Sequence, residues 1–327
     1  MKALPNNLVA VDADEAITAC VHGDVARVYF DAAYALDRAG SDTQALRAGG
    51  QEFVVRPAAR LVSDAPTPES GRVRAHVMAR RMLSDAVDRK ITLLSSLPMR
   101  EYFAVDGSVA EFAYRVEESL REHVMGEGER IVLPLDDAMV MPRTVAAYLD
   151  WSFDDDGNQR AIEQEHVFVV DVSGGFTSIA LFETASAQRH EERGAELKSG
   201  WVNVLRESCE QIASHHGLKD VPVQTALRAL IEERYRYRGT TWDCAQLLSA
   251  LCGPLALQII QHLVSANPQG AKRRPEVIVS GAGGAALARA LAAAAGDSLS
   301  VRALPRPEFG NARGMTKYGL ALAREQS

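Results

Sequence analysis

The sequence predicts an α/β protein built twice over, each half a mixed sheet covered by helices. Three observations carry this. Strand-like and helix-like segments alternate along all 327 residues. Each half opens on a short apolar strand that ends in an aspartate and turns into a hairpin, at Asp12 and again at Asp171. A chain of this length also suits two domains of about 100–200 residues each.

Leu8 to Val11 reads as a buried strand closed by Asp12, and after the polar pair Asp14 and Glu15 the run Ala16 to Val21 reads as its hairpin partner. Val25 to Phe30 and Glu52 to Val55 are shorter strand-like pieces, and Ser63 to Gly71, rich in Pro, Ser and Asp, reads as a mobile loop. Arg72 to Ala86 is a helix whose Arg72, Arg74, Arg80 and Arg81 form a basic face, read as solvated surface, and it feeds a strand at Ile91 to Leu94. Ser108 and Glu111 match a capping box, followed by Val109, Phe112, Val116, Leu120 and Val124 at helical spacing. Ile131 to Leu133 and Met139 to Met141 are strand-like, Thr144 to Trp151 starts a helix, and the acidic run Asp154 to Gly157 marks the boundary between the halves.

The second half opens with Val167 to Val172, a Ser-Gly-Gly turn and Phe176 to Phe182, a hairpin pattern. Helices are predicted over Val202 to Ser214, Val223 to Glu233 and Ala245 to Val264. A strand at Val277 to Val279 then runs into Gly281, Ala282, Gly283 and Gly284 and an alanine-rich helix to Ala295.

Composition narrows the function. At 47% hydrophobic and 24% charged the chain is an ordinary globular one. Lys and Arg number 36 against 43 Asp and Glu, a net charge of −7, which disfavours a broad grip on nucleic acid. The four cysteines, Cys20, Cys209, Cys244 and Cys252, have no zinc-ligand spacing and read as buried free thiols. The N-terminal run is no signal peptide and no long apolar segment spans a membrane, so a cytoplasmic location is expected. His215 and His216 read as a helix-end or surface pair, Lys272 to Arg274 as a solvated basic turn, and Trp151, Trp201 and Trp242 as core or subunit-contact residues.

The segment Val167 to Leu181 carries the most chemistry. A buried strand that ends in Asp171 and turns through Ser173, Gly174 and Gly175 can offer backbone N–H groups to a phosphate while the carboxylate faces a magnesium ion. A plain hairpin turn that needs glycine fits the same residues equally well.

Residues 171–181, DVSGGFTSIAL, resemble the second phosphate loop of the actin-like ATPase superfamily. Leu97 to Phe103 (LPMREYF) and Val140 to Pro142 (VMP) resemble segments of the ParM/StbA plasmid-segregation actins. Ile278 to Ala285 is similar to the superfamily's adenosine loop, and Phe309 to Met315, with NARGM, to the end of ParM-like chains. The resemblance spans nearly the whole chain and implies an actin-like fold, with two lobes around a nucleotide cleft. Residues 1–160 with 309–327 would form the first domain, with an outer part near 24–70. Residues 161–308 would form the second, with an outer part near 200–273.

Carried over residue by residue, the resemblance implies that Asp12 and Asp171 hold magnesium through water, and that Ser173, Gly174, Gly175, Phe176 and Thr177 hold the phosphates of ATP or GTP. It places Gly281, Ala282, Gly283 and Gly284 at the adenosine and Gly200 near the ribose. The partners it implies are further copies of the chain, head to tail in a filament, and a DNA-binding adaptor, with no direct contact to DNA or membrane. Two departures bear on catalysis. The segment from Asp12 to Thr18 lacks the glycine and lysine of the family's first phosphate loop, and Arg143 follows VMP where the family places a water-orienting Glu or Gln. A guanidinium cannot accept a proton, although it can stabilise phosphate charge, with Asp136 or Asp137 orienting the water instead. Slow hydrolysis is the expectation. A scaffold without hydrolysis, or a small-molecule kinase on the same fold, are the alternatives.

Overall fold

The computed structural model describes residues 8–14, 17–29, 31–35, 45–48, 50–57, 67–83, 90–126, 128, 130–186, 188–266 and 275–325. The chain divides into two compact units. Met1–Ala58, Val62–Asn158 and Asn311–Ser327 form unit 1, and Ala59–Leu61 with Gln159–Gly310 form unit 2.

Unit 1 begins with β1 (Leu8–Asp14), β2 (Ile17–His22) and β3 (Val25–Tyr29), an antiparallel meander. A small sheet follows, made of β4 (Asp31–Ala35), β5 (Leu46–Ala48) and β6 (Gln51–Pro57). Then come α1 (Pro68–Leu83), β7 (Ile91–Leu97), α2 (Met99–Tyr102), α3 (Glu111–Arg121), β8 (Leu135–Pro142) and α4 (Arg143–Ser152). The main sheet runs β3-β2-β1-β7-β8, with β7 parallel to both β1 and β8. Its central strand shows why Leu8 to Val11 is apolar throughout. Val9, Ala10 and Val11 are each 0% exposed, because both faces of β1 are covered. One of those faces meets Ala75, Met78 and Ala79 of α1.

Unit 2 repeats the plan. β9 (His166–Val172), β10 (Thr177–Glu183) and β11 (Gln188–Leu197) form a second antiparallel meander. Next are α5 (Trp201–His216), α6 (Val223–Glu232), the hairpin β12 (Arg234–Tyr237) and β13 (Thr240–Asp243), α7 (Ala245–Leu251) and α8 (Gly253–Ala266). β14 (Glu276–Ser280), α9 (Gly284–Ala295), β15 (Ser300–Ala303) and α10 (Gly310–Glu325) complete the chain. The sheet order β11-β10-β9-β14-β15, with β14 parallel to β9 and β15, matches unit 1 strand for strand. The predicted duplication of mixed sheets is therefore present.

Several local expectations are corrected. The arginine face of α1 is solvated only at its far end: Arg81 is exposed and Arg80 half-buried, but Arg72 is 1% and Arg74 is 7% exposed. α1 is covered on that side by its neighbours: Arg74 Nε donates to Thr18 Oγ1 at 2.7 Å, and Arg72 Nη1 reaches the Ser119 carbonyl at 3.2 Å and pairs with Glu122. α1 also starts earlier than predicted, so Pro68 to Gly71 are helix and only Ser63 to Pro66 of the predicted loop lie outside the described residues. The capping box at Ser108 is not formed. Ser108 Oγ donates instead to Asp106 Oδ1 at 2.6 Å, and Ala110 is the residue that enters α3. Ile131 to Leu133 forms no strand, only a single bridge from Ile131 to Met125.

The predicted helix Ala245 to Val264 is two helices bent by 54°, because Pro254 in the first turn of α8 has no N–H to continue the ladder from α7. The hairpin β12–β13 and the strands β11 and β15 were not anticipated. His215 and His216 sit in the last turn of α5 as expected, with His215 exposed, and they also pack on that hairpin, His215 stacked on Trp242 at 4.2 Å and His216 5.1 Å from the Tyr235 ring. Trp151 and Trp201 are buried as predicted, all four cysteines are free, and Cys209 is half-buried rather than buried. Lys272 to Arg274 and Glu15 lie outside the described residues. No single helix among the described residues is long and apolar enough to cross a membrane.

α10 closes unit 1 through α4. Asp150, 4% exposed, takes Arg313 through two bonds, Nε at 3.1 Å and Nη2 at 2.6 Å, and Lys317 Nζ at 2.9 Å. Two cations pair the one buried carboxylate, as a buried charge requires. Between these residues Gly314 lies against the α4 backbone so closely that an added Cβ would collide with the Ala146 carbonyl oxygen. Gly314→Ala should therefore cost about 2–3 kcal/mol by forcing α10 off α4, whereas Gly71→Ala, with open space around it on α1, should not. Urea denaturation of both variants measures the difference.

His76 of α1 is fully buried, and its Nε2 lies 2.9 Å from the Leu120 carbonyl at the end of α3. Burial pulls its pKa from 6.5 down to about 4. The folded state thus holds a neutral ring that the unfolded chain protonates, and this stability is complete above the unfolded pKa and is lost as pH falls toward the folded one. Between pH 7 and pH 5 the loss from this group should be roughly 2 kcal/mol. Denaturation at the two pH values should show that loss in the wild type and a flatter dependence in His76→Gln.

Candidate functional site

In unit 2 the predicted residues gather at the carboxyl ends of two adjacent parallel strands, where open α/β sheets bind ligands. β9 ends at Asp171 and Val172, β14 ends at Ser280, and the register pairs Ser280 with Asp171. From β9 the chain turns through Ser173, Gly174, Gly175 and Phe176, and from β14 it turns through Gly281, Ala282, Gly283 and Gly284 into α9. Asp171 is 2% exposed and Gly175 sits half-exposed in its turn.

The first turn is held rigidly. Both the backbone N–H and the hydroxyl of Ser173 donate to the Phe176 carbonyl at 2.9 Å. Thr177 Oγ1 donates to the Ser199 carbonyl at 2.8 Å. The carbonyls of Ser173 and Gly174 accept from Trp201 N at 3.0 Å and Val202 N at 2.9 Å, so the turn caps the start of α5. Gly200 precedes α5, and a side chain there would strike the Ser173 and Gly174 carbonyl oxygens. Close packing thus requires glycine at 200 in its own right. Ser178 donates to Glu196 Oε1 at 3.1 Å.

The second turn crosses directly over the end of β9. Gly281 has φ +94, a Cβ there would collide with the Val172 carbonyl oxygen, and its N–H donates to the Pro307 carbonyl at 2.9 Å. α9 then begins at Gly284, whose added Cβ would come within 2.9 Å of Pro307 Cβ. Backbone-lined turns of this kind, one of them opening a helix, suit a phosphate-bearing ligand.

Unit 1 places Asp12 at the topologically equivalent end of β1, but the chemistry differs. Asp12 is 7% exposed and both of its oxygens are engaged. Oδ1 accepts from Ser96 Oγ and from Arg143 Nε at 3.2 Å, and Oδ2 accepts from Asn311 Nδ2 at 3.0 Å. Arg143, at the start of α4 and 4% exposed, also donates through Nη2 to the Ala13 carbonyl at 2.6 Å. Ser96 and Asn311 went unassigned on sequence. The signals for them were the polar pair Ser95 and Ser96 interrupting the apolar run of β7 after Leu93 and Leu94, and the position of Asn311 in NARGM.

Asp136 and Asp137 cannot serve beside Arg143. They begin β8 while Arg143 follows its end, about 20 Å away at strand rise, and Asp137 is engaged by Arg121 at 2.9 Å. On β2, burial pushes the Cys20 thiol far up, so it stays protonated and is no nucleophile. Among the described residues no three His, Cys, Asp or Glu side chains assemble into a metal-binding group.

No protein-family model matches the chain, and no curated protein matches it in sequence. Solved structures match along nearly its whole length. Actin-like protein Alp7A aligns over 98% of this chain and 97% of its own, with a TM-score of 0.70 at 12% identity. The ADP complex of Ta0583, an archaeal actin homologue, aligns over 98% and 100%, with a TM-score of 0.69 at 18% identity. ParM in a 15-stranded filament from Clostridium botulinum aligns over 96% and 99%, with a TM-score of 0.65 at 14% identity. The chain has the actin-like fold. In this actin-like fold the LPMREYF and VMP segments close β7 and β8, the two glycine turns close β9 and β14, and NARGM opens α10.

In unit 2 the backbone N–H groups of the two glycine turns suit a phosphate, and the glycines at 200, 281 and 284 are also required by the protein's own packing. Asp12 of unit 1 does not fit a metal, because its charge is already neutralised by Arg143. Gly281→Ala should lower stability by about 2–3 kcal/mol, through the forced φ and the clash with Val172, and a lowered urea midpoint measures it.

Proposed function

We propose that this chain is a ParM-type actin-like protein that binds ATP or GTP and polymerises head to tail into filaments. The filaments would position plasmid DNA in the cytoplasm through a DNA-binding adaptor, with no direct contact to DNA or membrane. The observation that carries the reading is the pair of adjoining glycine turns at the carboxyl ends of β9 and β14. In this reading Ser173 to Thr177 hold the phosphates, Gly281 to Gly284 the adenosine, and Gly200 lies near the ribose. Asp171 faces the phosphates and is the carboxylate suited to a water-held magnesium ion. Support comes from relatives of the same fold: Ta0583 is known as an ADP complex and ParM as a filament. A heterologous, non-closing contact between copies is what extends a filament.

Hydrolysis is slow in this reading. Arg143 cannot accept a proton, and the loss of one preorganised catalytic group costs about 10²–10³ in rate. The pairing of Arg143 with Asp12 also favours a second reading, an actin-fold scaffold that binds nucleotide without turning it over. Sedimentation with and without nucleotide, alongside phosphate release, separates the two.

Isothermal titration should show heat for ATP or GTP with the wild type and an affinity lower by about tenfold or more in Asp171→Ala. Nucleotide-dependent filaments should appear in electron micrographs of the wild type. A folded wild type that gives no heat with either nucleotide would overturn the reading.

A further inference from the structure

The β1–β2 hairpin stands where the resemblance places a phosphate loop with a glycine and a lysine, and it has neither. It is instead braced by two buried guanidiniums. Arg143 pairs with Asp12 and holds the Ala13 carbonyl, while Arg74 donates to Thr18, the residue opposite Ala13 in the hairpin register. Three donors, one of them fully charged, already occupy the Asp12 carboxylate, which has about four acceptor positions. The Asp12 and Arg143 side chains are 9% and 5% exposed, so water screens this pair little. A guanidinium stays protonated at every working pH. A divalent cation approaching Asp12 would therefore meet a neutralised carboxylate and a fixed like charge.

We propose that Arg143 stands in for a divalent cation at Asp12. Unit 1 takes up no magnesium there. The Mn²⁺ test below stands apart from the nucleotide reading above; the calorimetric one rests on it.

Two measurements on the full chain test it. In a Mn²⁺ titration followed by electron paramagnetic resonance, the wild type should show no site that Asp12→Asn removes, and Arg143→Gln should gain one. Mn²⁺ bound by the wild type and weakened about tenfold or more in a folded Asp12→Asn would overturn the proposal, whereas binding lost only in Asp171→Asn is consistent with it. In calorimetry with ADP, the ratio of the affinities in magnesium and in EDTA should be the same in Asp12→Asn as in the wild type, within about threefold. A loss of about tenfold or more in EDTA that Asp12→Asn reproduces would overturn it; a loss that Asp12→Asn leaves untouched places the metal elsewhere and supports it. If ADP binds in neither buffer, the nucleotide reading fails, and the Mn²⁺ titration alone decides whether Arg143 excludes the metal.

Discussion

A carboxylate buried at the end of a central strand has to be paired, and in unit 1 that requirement joins four elements. Asp12 is carried by β1, Ser96 by β7, Arg143 by α4 and Asn311 by α10, and all three partners converge on its two oxygens. An unpaired charge in this position would cost several kcal/mol, so the sheet, the helix after β8 and the C-terminal helix are coupled through one side chain. The Asp150 cluster repeats the device two turns further along α4, where Arg313 and Lys317 fasten α10. NARGM is thereby explained by its contacts: Asn311 serves Asp12, Arg313 serves Asp150, and Gly314 lets the helix backbones approach.

The two units share a sheet plan and use it differently. In both, an antiparallel meander is followed by two strands added in parallel, which puts the first and fourth strand ends side by side. In unit 2 those ends are glycine turns packed backbone against backbone, a surface rich in peptide groups. In unit 1 the same place is filled by a side-chain ion pair. Asp12 and Asp171 occupy equivalent places in the two sheets.

How much of this could be read in advance depended on the range of the interaction. β1, β9 and β14 were legible because strands buried on both faces are apolar without interruption, and the glycine turns were legible because close backbone approach excludes every other residue. The arginines of α1 were misread. A run of Arg72, Arg74, Arg80 and Arg81 looks solvated until α3 and β2 are seen to cover its first two members. Ser108 looked like a cap, but its hydroxyl bonds Asp106, and the helix is entered two residues later at Ala110. Strands β11, β12, β13 and β15 carry mixed polar sequences that no period marks.

The sequence by itself determined the duplicated α/β plan, the buried strands β1, β9 and β14 and the identity of the glycine turns, since these follow from apolar runs and from steric demands local to a few residues. The tertiary structure alone decided what Asp12 and Arg143 do. They are 131 positions apart, and a charge pair between residues so distant leaves no mark on the local pattern of either. Only the folding of β8 beside β7, and of α4 away from its end, brings that guanidinium to that carboxylate.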